Sequence, residues 1–146
     1  MGEDERLDEE LAVERLNAAL ELQLRSALQY SLIAESLEGI EVPALSGILT
    51  EYGDSELADA RQLIKKIVSL GGTPTTTVAE LRVIRDPTEA MEWLIECETE
   101  AVDSLQAAIE PTGRDARSEA LEHLLEHLIM RKQSQIDLLT RAGARS

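Results

Sequence analysis

The chain has 146 residues, which suits one domain with a single sizeable core. Aromatic residues make up only 2% of the sequence and Phe is absent, so Leu, Ile, Val and Ala must build the core, as is typical of helix bundles. The formal net charge of -15 would repel nucleic acid and anionic membranes, and therefore argues against either as a partner.

No segment of the sequence is typical of export or membrane insertion. Residues 1–7 form an acidic end that we expect to be frayed, without the apolar stretch of a signal peptide. No apolar run approaches the roughly 18–20 residues that span a bilayer. The single cysteine, Cys97, excludes an intramolecular disulfide. We therefore expect one domain over residues 1–146 and a cytoplasmic location.

The first predicted helix begins after Asp8, as N-cap, and continues to about Leu37. Its core-type residues recur every three or four positions, the spacing of one helical face. They are Leu16, Leu20, Gln23, Ala27, Tyr30, Ala34 and Leu37. Gly39 ends this helix, and Pro43 begins the next.

The second predicted helix repeats the spacing and stops at Gly71-Gly72. Its stripe comprises Leu45, Leu49, Tyr52, Glu56, Asp59, Leu63, Ile67 and Leu70. Residues 71–85 then form a long connection for a bundle, which predicts a crossover between the second and third helices. We expect the apolar residues of this crossover to hold it against the bundle: Val78, Leu81, Val83 and Ile84.

The third helix is predicted to begin at the capping box Asp86-Pro87-Thr88-Glu89 and to end before Pro111. Its stripe comprises Met91, Leu94, Glu98, Val102, Leu105 and Ile109. The fourth helix is predicted to begin near Asp115. Its stripe comprises Leu121, Leu125, Leu128, Lys132, Gln135 and Leu139.

Polar residues interrupt each of the four apolar stripes near its middle. They are Gln23, Glu56, Asp59, Glu98, Lys132 and Gln135, with Tyr30 close by on the first stripe. Chains seldom bury charges without partners, because this is costly. Interruptions at similar depth on four helices therefore predict one buried polar layer.

This layer and several short segments resemble the ferritin-like di-iron proteins, and bacterioferritin in particular. The similar segments, in order, are Leu16-Asn17, Gln29-Tyr30, Leu63-Ile64-Lys65-Lys66-Ile67, Leu70-Gly71-Gly72-Thr73-Pro74, Leu105-Gln106-Ala107-Ala108-Ile109 and Gln135-Ile136-Asp137-Leu138-Leu139. The resemblance implies an all-α, ferritin-like four-helix bundle with a long crossover between helices two and three. It also implies a metal centre built from a Glu on two helices and Glu-x-x-His on the other two.

Carried over position by position, most metal ligands of that family are replaced. Glu56 and Glu98 keep two of its glutamates. Lys132 and Gln23 stand at the other two glutamate positions. Asp59 and Gln135 stand where the family has its two histidines. The haem-binding Met corresponds to Leu57, so haem is not expected.

Lys132 changes the chemistry of the layer most, since an ammonium repels a divalent ion at low dielectric. Our hypothesis is that Lys132 replaces the metals as a counter-ion for Glu56, Asp59 and Glu98. Gln23 and Gln135 would complete the hydrogen bonds. One cation for three acids also leads us to expect one protonated acid, or a water or a single cation in the layer.

Two functions follow from this reading. The favoured one is a non-catalytic structural or interaction protein without a cofactor, because ferroxidase chemistry would lack both histidines and two glutamates. The alternative is an iron-binding or iron-storage protein with a divergent centre. In that case Glu56, Asp59 and Glu98 would hold a single divalent cation, iron or another.

Additional apolar residues lie outside the core stripes of the first two helices. They are Leu24, Leu28, Leu32, Leu57, Ile64 and Val68. A monomer would expose much of this surface, which indicates a partner. The resemblance places the family's dimer interface on the same helices, so we expect a homodimer through helices one and two.

The two histidines of the chain, His123 and His127, are spaced as a helical chelating pair. They lie roughly opposite the stripe of the fourth helix, so they cannot be ligands inside the bundle. Their position favours a solvated or interface role over a surface metal site. Cys97 is interpreted as a packing residue.

Overall fold

The computed structural model describes residues 7–143, and these form four helices and no strand. The helices are α1 (Glu9–Ser36), α2 (Val42–Ser69), α3 (Pro87–Ala107) and α4 (Ala116–Gly143). α1 packs against α2 and α3, and α3 packs against α4. The predicted all-α bundle with a crossover between its second and third helices is confirmed.

Side-chain caps begin α1 and α3 where the sequence predicts them. Asp8 accepts a hydrogen bond from the Leu11 amide at 3.1 Å, and Asp86 accepts one from the Glu89 amide at 2.9 Å. Gly71, with a φ of 84°, follows the last turn of α2. α2 therefore ends where a left-handed residue is required, and Gly71 provides it.

Two apolar clusters fill the bundle, one toward each end. Leu16, Leu20, Leu63, Leu121 and Leu125 belong to the first cluster. The second cluster includes Ile33, Leu49, Met91, Leu94 and Leu139. Between these clusters the stripes carry the polar residues described below, so each helix is anchored by leucine-rich packing on both sides of that layer.

The crossover is held differently from the sequence prediction. Val83 is 55% exposed, and Val78 and Leu81 are each 37% exposed, whereas Ile84 packs against the second apolar cluster. The expectation that all four pin the segment is therefore wrong. An extended segment leaves its backbone groups unpaired, and α1 supplies hydrogen bonds to them instead.

Two amides of α1 bind the backbone of the crossover. Gln29 donates to the Arg82 carbonyl at 2.6 Å and accepts from the Arg82 amide at 2.9 Å. Its side-chain oxygen also accepts from the Trp93 indole at 2.8 Å. Asn17 donates to the Thr73 carbonyl at 3.0 Å and accepts from the Thr75 amide at 2.8 Å.

The last residue of the expected frayed end, Leu7, lies within the described residues. Leu7 is buried in the first apolar cluster, and the next amide, that of Asp8, donates to the Pro111 carbonyl at 3.2 Å. Apolar contact therefore continues to this residue, while residues 1–6 lie outside the described residues. Within residues 7–143, no helix has the length and apolar character needed to cross a bilayer.

A buried ion-pair layer as the candidate functional site

The polar layer lies between the two apolar clusters and draws side chains from all four helices. α1 contributes Gln23 and Tyr30, α2 contributes Glu56 and Asp59, α3 contributes Glu98, and α4 contributes Lys132 and Gln135. All seven residues are buried. The three- and four-residue spacing of the stripes turns these side chains inward from the same helix faces as their leucine neighbours.

Lys132 lies between Glu56 and Glu98. Its Nζ is 2.6 Å from Oε2 of Glu56, and 3.2 Å and 3.5 Å from the two carboxylate oxygens of Glu98. The lysine is 0% exposed. Its ammonium is therefore shielded from water, and protein carboxylates neutralise its charge.

Two glutamines and a serine complete the hydrogen bonding of these carboxylates. Nε2 of Gln135 donates to Oε1 of Glu56 at 2.6 Å and to Oε2 of Glu98 at 2.9 Å, and lies 3.4 Å from the Tyr30 hydroxyl. Gln23 donates to the Glu56 carbonyl at 2.8 Å and to the Glu56 carboxylate. Ser26 donates to Oε1 of Glu98 at 2.7 Å.

Asp59 has a different cation from the one the sequence suggested. Its carboxylate pairs with Arg131, which precedes Lys132 on α4, at the more exposed edge of the layer. Burial raises the pKa of Asp59 above its ordinary value, although Arg131 opposes this rise. Lys132 therefore pairs with Glu56 and Glu98 and not with Asp59. The sequence pattern did not indicate Arg131 as a member of the site.

The two glutamates differ in their affinity for a proton. Burial raises the pKa of Glu98 to about 7, although the charge of Lys132 opposes this rise. Burial acts on Glu56 as well, but the charge and hydrogen bond of Lys132 and the hydrogen bond from Gln135 keep the pKa of Glu56 below its ordinary value. Glu98 is therefore the acid that takes up a proton first.

The other two ionisable groups of the layer keep their protons. Burial lowers the pKa of Lys132, but Glu98 and Glu56 outweigh this effect and raise it above its ordinary value. Burial, followed by the carboxylates of Glu98 and Glu56, holds the pKa of Tyr30 well above its ordinary value. Near neutral pH, this geometry favours a charged Lys132 ammonium and a neutral Tyr30 phenol. The carboxyl group of Glu98 is then partly protonated.

These donors do not fit a pair of divalent metal ions. An ammonium has no lone pair to offer a metal, and both glutamine amides present N–H groups to the carboxylates. Among residues 7–143, no group of three or more His, Cys, Asp or Glu side chains is arranged to hold a metal ion. The carboxylates that could ligate a metal are already bonded to cations of the chain itself.

The remaining candidates from the sequence lie outside the layer. His123 and His127 are exposed on the outer face of α4. Cys97 is buried next to Glu98, and burial raises the pKa of its thiol to about 12. Its thiol therefore stays protonated at neutral pH.

Comparison with known proteins agrees with this architecture. The family model of the ferritin-like domain matches residues 13–142. The chain is similar to a ferritin-like, di-iron-carboxylate protein from Bacillus anthracis, with 25% identity, a TM-score of 0.83, and coverage of 98% of this chain and 99% of that one. No curated protein matches the chain.

Two further solved structures share the fold. One is a bacterioferritin from Rhodobacter capsulatus described with a metal-free dinuclear site and haem iron, at 23% identity and a TM-score of 0.82, covering 91% of this chain and 83% of that one. The other is a dodecameric thioferritin from Bacteroides fragilis, at 20% identity and a TM-score of 0.79, covering 96% and 90%.

Fold, layer and matches together define the class: a ferritin-like four-helix bundle with polar residues at its centre. The chain belongs to the ferritin-like domain family.

Proposed function

We propose that this chain is a ferritin-like protein in which an ion-pair network centred on Lys132 replaces the di-metal centre. In this proposal it acts as a non-catalytic structural or interaction protein, without a haem or a di-iron cofactor. The observation that carries the proposal is the buried Lys132 Nζ, 2.6 Å from Glu56 and 3.2 Å from Glu98.

The charges of the layer support this proposal. Carboxylates in a bundle core require cations, because unpaired buried charges are costly. In a di-metal protein the metal ions meet that requirement, whereas here Lys132 and Arg131 do so within the folded chain. Such a layer can form during folding without a metal supply.

We propose further that the protein forms a homodimer through α1 and α2. Three apolar side chains on these helices are exposed: Leu28 by 47%, Leu57 by 44% and Val68 by 57%. Leu24, Leu32 and Ile64 beside them are half-buried. A two-fold contact would cover this surface, and sedimentation equilibrium tests it, since a monomeric mass would contradict the dimer.

A second candidate function is that of an iron-binding protein with a divergent centre. Two observations favour it. The side-chain oxygen of Gln23 is buried without a hydrogen-bond partner in the described part of the chain. Glu56 and Glu98 also share a single ammonium, which leaves one negative charge when both are ionised. A single cation near Gln23 would bind its unpaired oxygen and balance the remaining negative charge of Glu56 and Glu98.

Metal analysis combined with ferrous-iron oxidation distinguishes the two candidates. The first proposal expects purified protein to hold far less than one iron per chain and to consume no oxygen when ferrous iron is added. Stoichiometric iron with saturable oxygen consumption, both lost in Glu98→Gln, would support the second candidate. A Glu96→Gln variant is the matched control, because Glu96 is exposed on the same helix.

A further inference from the structure

The outer face of α4 carries both histidines of the chain. His123 and His127 lie one helical turn apart in the N-terminal half of α4, and both are exposed. Neither ring has a hydrogen bond, an ion pair or a ring contact with any of the residues 7–143. Their nitrogens are therefore open to a ligand from solution.

The helix fixes the separation of the two rings. Residues four apart on a helix face the same side, with their Cβ atoms about 6 Å apart. α4 is continuous from Ala116 to Gly143, so this separation requires no folding step. Two imidazoles in this arrangement can bind one ion together, and imidazole is a ligand preferred by nickel, copper and zinc.

The surrounding charge favours a cation. Glu119 and Glu126 are exposed near the histidines, and neither side chain forms an ion pair within residues 7–143. The whole chain carries a formal charge of -15. This field raises the local concentration of divalent cations, and the two imidazoles then select those that prefer nitrogen.

We propose that His123 and His127 form a surface chelate for a divalent transition-metal ion of the nickel, copper and zinc class. Two imidazole nitrogens provide the protein ligands, and water completes the coordination. The site is separate from the buried layer and does not depend on the function proposed above. It also lies on α4, away from the α1–α2 surface of the proposed dimer, so dimerisation would leave it accessible.

Calorimetric titration of the full-length, tag-free protein with Ni²⁺ tests this proposal. We expect one ion per chain in the wild type, and loss of this binding event in His123→Gln and in His127→Gln. The paired variant Glu119→His/His127→Gln moves the chelate one turn toward the N-terminus of α4, and binding should return. All these positions are exposed, so the fold should be unaffected.

Two results would overturn the proposal. Binding in His123→Gln/His127→Gln with the stoichiometry and affinity of the wild type would assign the ion to acidic side chains instead. Failure of Glu119→His/His127→Gln to bind would show that the spacing of the imidazoles does not create the site. Circular dichroism of each variant establishes that its helix content matches that of the wild type.

Discussion

Replacing Lys132 with Met removes the only cation that contacts both Glu56 and Glu98 within residues 7–143. Methionine fills a similar volume, so the change isolates the charge. Breaking a buried pair by removing one partner costs about 3–5 kcal/mol. Proton uptake limits the loss here, because the pKa of Glu98 is already about 7 in the wild type, and removal of the opposing charge of Lys132 favours its protonated form further.

Glu98 can therefore become neutral in Lys132→Met, and the loss should come chiefly from Glu56. We expect a decrease of about 3 kcal/mol in the free energy of unfolding at pH 7.5, from urea denaturation. The decrease should shrink at lower pH, as both acids take up protons. The variant Lys132→Met/Glu56→Gln/Glu98→Gln should recover much of the loss.

Lys65→Met is the matched control, because Lys65 is exposed on α2 and forms no ion pair within residues 7–143. A loss below about 1 kcal/mol in Lys132→Met, comparable with a surface substitution, would show that Lys132 is not the counter-ion on which the buried carboxylates depend. So would a large loss that does not change with pH, since protonation of Glu56 and Glu98 must reduce the charge left unpaired.

Three other predictions test separate parts of the molecule. The pKa of Glu98, about 7, lies above its ordinary value of 4.5, so its burial penalty is present above that pKa and absent below 4.5. Relative to Glu98→Gln, the wild type should therefore lose on the order of 3 kcal/mol of unfolding free energy between about pH 4.5 and pH 8, and parallel curves would contradict this. Leu57→Glu should yield a monomeric mass in sedimentation equilibrium, whereas Val83→Glu, on the exposed crossover, should leave the dimer intact. Gln29→Leu strands the Trp93 indole and the backbone of the crossover, so it should destabilise the fold by about 1–3 kcal/mol and speed amide exchange at residue 82, whereas Gln106→Leu should do neither.

Helical periodicity predicted the helices and which of their side chains turn inward. The recurrence of Leu, Ala and Ile at three- and four-residue spacing placed Glu56, Glu98 and Lys132 on inner faces, and all three are buried. Periodicity reports the direction of a side chain from its own helix axis. It therefore identifies which residues face the interior of the bundle. Here it indicates the depth at which polar residues interrupt all four apolar stripes.

Pairing within the layer depends on distances that periodicity does not contain. Arg131 is half-exposed and adjacent in sequence to Lys132, yet its long side chain reaches Asp59. Ser26 lies one turn from Gln23 on α1, and its small hydroxyl gives no periodic signal. The i, i+3 relation between Gln23 and Ser26 is the one indication that could have drawn attention to it.

The crossover could not be predicted in detail for a related reason. Its valines and leucine suggested apolar packing, but an extended segment must also pair its backbone groups. The side chains that meet this requirement, Asn17 and Gln29, lie on α1, far away in sequence. The sequence around a single Asn or Gln on a helix does not indicate which backbone segment its side chain will bind.

Anomalous diffraction from crystals soaked anaerobically in ferrous iron, recorded at the iron absorption edge, distinguishes an ion-pair layer from a di-iron centre. We expect Lys132 Nζ within hydrogen-bond distance of Glu56 and Glu98, with no iron peak between the carboxylates. Two iron peaks bridged by Glu56 and Glu98, with Lys132 turned away from them, would contradict this expectation.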